Sequence, residues 1–429
     1  MHLPIEINFE KKKIPGFIVS HHMSHAAYAY YMSSFSKAAI FSHDGSFSKD
    51  IYRGGMCYYG SKNKIYPIMP HYLEMGRFYE GLSCYLGFGN EELVEAAAKQ
   101  MQKYGYGSLF ASKSHEPAIM LSEKLMEMSP FDDGKVFFGS SGGDANDTQY
   151  KLFTYLNNAL GKPHKKKFLG RKKGYHGITV ASGSMTGIPA NHKLFDLPIS
   201  GFFHTDTPHY YREAFENETE AEFLDRITEN LENLIIKEGA DNFSAMIAEP
   251  FIGAGGVIIP PEGYFPKIQR VLDKYGIHLI DDEVICGFGR TGNCWGYETF
   301  SIKPSSMTIA KALSSGYMPI SAVIVSEEIF EPIKHASGDV GVFAHGYTYS
   351  GHPVSCAVAL KTLEIYERTK LFSHVSEVSI YFQNRVAKLA SYDYVGEARG
   401  VGLVAGIELV KDKETKENFE PYGRIGMLL

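Results

Sequence analysis

Lys311 closes the apolar run SMTIA at residues 306–310. An amine at a desolvated strand end loses affinity for its proton and becomes a nucleophile for Schiff-base chemistry. A lysine that snorkels its ammonium to water fits the same pattern. Upstream, Asp281, Asp282 and Glu283 close the run IHLI. Three acids ending a buried strand are costly unless they meet cations or donors, and one of them could hold a heterocyclic nitrogen protonated. A strand end that reaches water answers equally well. The stretch SSGGDAND, residues 140–147, leads into the helical run TQYKLFTYLNNAL. Small residues there expose N–H groups at a positive helix end, which is either a phosphate cradle or simply a helix start. Tyr175 and His176 stand between Gly174 and Gly177. An aromatic so placed could lie flat on a planar ligand, or the four residues could only make a turn.

The elements that must position these groups are readable from periodicity. EELVEAAAKQMQK puts Leu93, Ala96, Ala97 and Met101 on one stripe, with Asn90 as cap, Glu91 and Glu92 in the first turn and Gly105 after the end. Within residues 218–237, Leu224, Ile227, Leu231, Leu234 and Ile235 recur at helical spacing. The apolar runs FSAMIAEP and IHLIDDEV flank a helix at YFPKIQRVLDKYG, and SMTIAKAL follows. Apolar strands alternating with helices predict an α/β fold whose mostly parallel sheet is covered on both faces. Ligands in such sheets bind beyond the carboxyl ends of the strands. Residues 1–87 differ in character, with short β-type runs such as AAIFSHDGS and GGMCYYG.

Bulk properties exclude several classes. A formal charge of −6 over 429 residues disfavours non-specific nucleic-acid binding and attraction to anionic membranes. With 44% hydrophobic and 21% charged residues the chain is not of a disordered type. The cysteines Cys57, Cys84, Cys286, Cys294 and Cys356 are scattered without metal-ligand spacing, which predicts reduced thiols. The opening MHLPIEINFEKKKIPGF has no apolar core and no 18-residue apolar run occurs, so a cytoplasmic protein without membrane contact is expected.

Six blocks in order, FFGSSGGDAND, KKGYHGITVASGSMTG, AEPFIGAGGVIIPPEGYF, LIDDEVICGFGRTG, IAKAL and HGYTYSGHPVSCAVAL, resemble class III (omega-type) aminotransferases from about residue 86 to 429. The resemblance implies a pyridoxal 5'-phosphate (PLP) enzyme of fold type I. By it, Lys311 is the lysine that holds the cofactor and shuttles a proton, Asp282 the partner of the ring nitrogen, and Val284 the side chain under the ring. Tyr175 would stack on the other ring face beside His176. Gly142 and Gly143 would offer N–H groups to the phosphate, with Ser141 adjacent. Thr348 would reach the phosphate of a neighbouring subunit, which implies a homodimer, and Glu249 would line the substrate side. The family's usual SGSEAND reads SGGDAND here, and the losses at Gly143 and Asp144 are expected to weaken cofactor binding slightly.

The first 87 residues resemble another family. VSHHMSHAAYAYYMSSFSKAAIFSHDGSFSKD is similar to the start of NodU/CmcH-type carbamoyltransferases, and the two resemblances meet at residues 86–89, as in a fused or misassembled reading frame or a selected fusion. His21 and His25, at i and i+4, are weak metal candidates, with His22 facing elsewhere. The segment covers only the opening of that family, so no metal is expected. The expected parts are therefore residues 1–87 as this fragment, 88–335 as the PLP-binding large domain, and 336–429 as its end with a truncated small domain. By resemblance the small domain lacks strands and an arginine for the substrate carboxylate, leaving an open edge near residues 388–429. The expected reaction moves an amino group from an ω-amino acid or amine to a keto acid such as pyruvate. A catalytically impaired PLP-binding fragment, another PLP reaction, and a carbamoyltransferase are the alternatives.

Overall fold

The computed structural model describes residues 85–419 other than 111, and the backbone of five strands between residues 2 and 71. The chain divides into two compact units, residues 83–417 and residues 1–82 with 418–429. In the latter, β1 (His2–Phe9) pairs antiparallel with β2 (Lys12–Val19). There also, β3 (Lys37–His43), β4 (Gly55–Ser61) and β5 (Lys64–His71) make an antiparallel three-stranded sheet, so two of the short β-type runs are β3 and β4. His21, His22 and His25 lie outside the described residues.

The larger unit is built on a seven-stranded sheet. Its strands are β6 (Gly134–Gly139), β7 (Lys167–Arg171), β8 (Phe202–Thr205), β9 (Phe243–Ala248), β10 (His278–Asp282), β11 (Ser306–Ile309) and β12 (Ser321–Ser326), in the order β6-β12-β11-β10-β9-β7-β8. The pairings from β11 through β10, β9 and β7 to β8 are all parallel. Strand β12 runs antiparallel to both its neighbours, β11 and β6. Residues 310–320, which join β11 to β12, are too few for the covered crossover that a parallel return needs. The fold is thus the mostly parallel α/β sheet expected from the sequence, with one reversed strand.

Helices cover both faces. On one, α5 (Glu220–Lys237) starts at a Thr219–Glu222 capping box and packs Phe223, Leu224, Ile227, Leu231 and Ile235 with Met246 and α6 (Tyr264–Lys274). On the other, α3 (Gly142–Ala159) sets Ala145, Leu152, Phe153 and Leu156 against Ala245, Ile247 and Ile280. Met246 and Ile247 thus serve opposite cores, as strand alternation requires. A third core joins α2 (Glu116–Met128) to α8 (Pro353–Arg368) through Leu121, Leu125, Cys356 and Leu363. Helix α1 (Glu91–Lys103) is capped by Asn90 as expected, but it buries Leu93 and Gln100 while Met101 is 57% exposed. The helix is shorter-sided than its stripe suggested, because Met101, two turns beyond Leu93, has rotated off the contact line.

After α7 (Glu327–Val340) and α9 (Leu371–Leu389), β13 (Val395–Val401) and β14 (Val404–Leu409) form an antiparallel pair. The pair has only these two strands among the described residues. It is tied down by Arg399, whose Nε donates to Val257 C=O at 2.9 Å and whose Nη1 meets Glu397 at 2.7 Å, and by Arg212 on Glu408 at 2.9 Å. No helix among the described residues is long and apolar enough to cross a membrane. Ile247 lies in β9, an inner strand between β10 and β7, at 0% exposure. Ile247→Ala is expected to cost about 2–5 kcal/mol in denaturant unfolding, and a loss below about 1 kcal/mol would contradict the core drawn here.

Candidate active site

Beyond the carboxyl ends of β6, β7, β10 and β11 lies a cavity of about 560 Å³. Ser141, Gly142, Gly143, Tyr175, His176, Asp282, Val284 and Lys311 all line it, so most of the residues singled out in the sequence share one space. Glu249 and Thr348 do not. Glu249 is 1% exposed, with Oε1 accepting from Tyr175 N at 3.0 Å and Oε2 from Gly253 N at 2.9 Å. It fastens the backbone that carries Tyr175. Thr348 is exposed, and its carbonyl accepts from the Tyr106 hydroxyl at 3.3 Å.

The start of α3 supplies anion donors. Ser141 is the N-cap, with its hydroxyl accepting from Asp144 N, and the Asp144 carboxylate in return accepts from Ser140 N at 2.9 Å and Ser141 N at 3.1 Å. Asp144 therefore shapes the turn rather than the cavity, and the shorter acid fits this capping box. The N–H groups of Gly142 and Gly143 have no partner among the described residues and stand at the positive end of an 18-residue helix. A Cβ on Gly142 would lie 3.0 Å from both methyls of Val284, so any larger residue there would press on that side chain.

Asp282 ends β10 at 2% exposure. Its Oδ2 accepts from His176 Nδ1 at 2.7 Å and Asn146 Nδ2 at 2.9 Å, and its Oδ1 from Val284 N at 3.1 Å. Asn146 Nδ2 also donates to His176 C=O at 2.7 Å. Asn146 was missed in the sequence, although its place four residues after Gly142 puts it on the same helix face. His176 acts edge-on through a hydrogen bond, not as a stacking ring. Its Nδ1 carries the proton, because a carboxylate can only accept.

Lys311 sits two residues past the end of β11, at the first position of a short 3-10 turn, with φ of 45°. A non-glycine residue in that left-handed region carries about 1–3 kcal/mol of strain, which persists at sites where surroundings fix it. Burial pushes its amine below the usual lysine range, against the opposing pull of Asp282 and then Glu249. The strand register sets Asp282 beside Thr308, so the carboxylate and the amine leave neighbouring strands into one cavity.

A desolvated amine, two free N–H groups and a buried carboxylate around a cavity of small-molecule size call for a ligand with a carbonyl, an anionic group and a basic nitrogen. Residues 78–427 match the family model described as Aminotransferase class-III. The chain belongs to the class III aminotransferases. It is 49% identical over 348 residues to gamma aminobutyrate transaminase 3, chloroplastic, of Solanum lycopersicum, covering 81% of this chain and 67% of that protein. It is 48% identical to gamma aminobutyrate transaminase 2 of the same plant, covering 81% and 76%. An omega transaminase from Pseudomonas jessenii in complex with PMP superposes with a TM-score of 0.81 at 44% identity, covering 91% of this chain and 82% of that one.

This class III aminotransferase is a PLP-dependent transaminase, and its cavity fits PLP. The paired glycine N–H groups suit the phosphate, the amine suits the aldehyde, and the carboxylate suits the ring nitrogen. Gly142→Ala should press on Val284 and narrow the cavity, weakening PLP binding about tenfold when the apo chain is titrated with PLP. Adding Val284→Ala should recover part of that loss. Unchanged affinity in the single variant would show that the close approach is unimportant.

Proposed function

We propose that this chain moves an amino group from an ω-amino acid or amine to a keto acid such as pyruvate. The observation that carries it is the joint opening of Lys311 and Asp282 into one cavity. The named activities of relatives, gamma-aminobutyrate and omega transaminases, favour an amine remote from any carboxylate as donor.

When bound, PLP supplies a carbonyl that exchanges with amines and a ring that takes up the electron pair left when the adjacent C–H bond breaks. Lys311 Nζ, whose hold on a proton burial weakens, takes the proton from the carbon that bears the donor's amino group. Asp282 keeps the ring nitrogen protonated, supported in that role by its three donors and its burial. Gly142 and Gly143 would hold the phosphate through backbone N–H groups, Ser141 shapes that turn, and Val284 and Tyr175 would lie against the ring. His176 orients Asp282, and Glu249 orients Tyr175 from behind.

Thr348 belongs in this reading to a second copy of the chain. Its loop is exposed, and Tyr349 beside it is 63% exposed, which suits a homodimer in which Thr348 reaches the partner's phosphate. Residues 1–87 remain in this reading a carbamoyltransferase-like fragment fused ahead of the transaminase.

Lys311→Ala should abolish turnover and the long-wavelength absorbance of bound PLP together, and retention of both would refute the assignment. Asp282→Asn should keep PLP but slow turnover at least about a hundredfold. Turnover should rise with pH through a lysine value below the usual one, because the working form is the free amine. Incubation with γ-aminobutyrate or simple amines plus pyruvate should release a carbonyl product and alanine without carbon dioxide.

A further inference from the structure

Three consecutive acids close β10, and only Asp282 faces the cavity. Alternation turns Asp281 and Glu283 to the reverse side, where they are 0% and 1% exposed. Donors are distributed unevenly among the three. Asp282 has the side chains of Asn146 and His176 and the N–H of Val284. Glu283 accepts on Oε1 from Tyr297 N at 2.8 Å, the Gly296 N–H also serves it, and its Oε2 has no donor. Asp281 has no donor on either oxygen among the described residues.

No cation pairs with Asp281 among the described residues. Arg171, fully buried on β7 beyond β9, is the charge of opposite sign that acts on it, yet no ion pair joins the two among the described residues. The guanidinium is turned to the carbonyl of Glu249. The other titratable groups around the pair are Asp282, Tyr85, Cys286, Cys294 and Tyr297, none of them a cation. The two carboxyls, in contrast, are within hydrogen-bond reach of each other.

We propose that Asp281 is a neutral acid whose O–H donates to Glu283 Oε2, so that the pair shares one proton and holds one negative charge. Three donors then serve Glu283, and no buried oxygen of an anion is left bare. Asp281 becomes a positioning residue that acts through Glu283, which receives the N–H groups at the start of the short helix Gly296–Phe300. It also keeps a third charge off the strand, so Asp282 stays the anion on the cavity side. That last consequence rests on the role proposed for Asp282, whereas the location of the proton does not. Burial, and then the neighbouring Glu283, hold Asp281 well above the usual carboxylate range. Burial likewise pushes Glu283 up to about 7, opposed by the backbone N–H groups of Tyr297 and Gly296.

The sign of the linkage gives the test. A proton kept in the folded chain but lost from the unfolded one stabilises at acid pH, and that stability disappears as pH rises through the folded value. Asp281→Asn keeps a donor toward Glu283 and removes the titrating proton. Thermal unfolding of the full chain with PLP bound is measured for both proteins from about pH 5 to about pH 8. The melting temperature of the parent should fall relative to the variant by about 2 °C or more across that span. A difference that stays constant with pH overturns the proposal. Should the variant fail to fold, the parent alone decides: its infrared spectrum at neutral pH should contain a protonated-carboxyl band that shifts when aspartate is labelled with heavy carbon. Absence of any label-sensitive band overturns it. Absorbance of bound PLP in Asp282→Asn, read separately, judges the ring assignment and not the shared proton.

Discussion

A buried carboxyl group gripped by three donors is the constraint on which this site depends. Asp282 is taken out of water at the end of β10, where an unpaired polar group is costly, and three donors converge on it. Those donors come from three different places: the first turns of α3, the loop after β7, and the backbone just past the strand. Asn146 bonds both the carboxylate and the carbonyl of His176, so one side chain sets the spacing of helix, loop and strand. The same helix face presents the N–H groups of Gly142 and Gly143. The glycine N–H groups and the support of the carboxylate are therefore set by one helix.

Opposite this anion the chain places an amine under conformational strain. Lys311 has turned out of the strand into a left-handed conformation, and burial strips its ammonium of water. The reverse face of β10 handles charge in another way. Asp281 and Glu283 find no cation there, and a shared proton takes the place of a counter-ion. Two sides of a single strand thus keep one negative charge each, satisfied by donors on the cavity side and by a proton with backbone N–H groups behind.

Much of this is legible in the sequence. The lysine ending an apolar strand, the acids ending another and the glycine pair before a helix are local patterns, and local patterns survive folding. Helix α5 followed its spacing almost residue for residue. What was not legible depends on register and on distant chain. Asn146 looked like one more polar helix residue, and His176 like part of a turn, until the loop after β7 met Asp282 across 106 positions of sequence. For Glu249 the family resemblance implies a place on the substrate side, whereas both its oxygens are engaged by backbone behind Tyr175. The reversal of β12 follows from the length of a connection, which periodicity does not report.

The account turns on whether Asp282 keeps the PLP ring nitrogen protonated. The direct measurement is the nitrogen NMR shift of PLP labelled at the ring nitrogen and reconstituted into the full chain near neutral pH. A pyridinium shift that moves to the neutral pyridine value in Asp282→Asn is the expected result. A neutral pyridine shift in the parent chain would contradict the account.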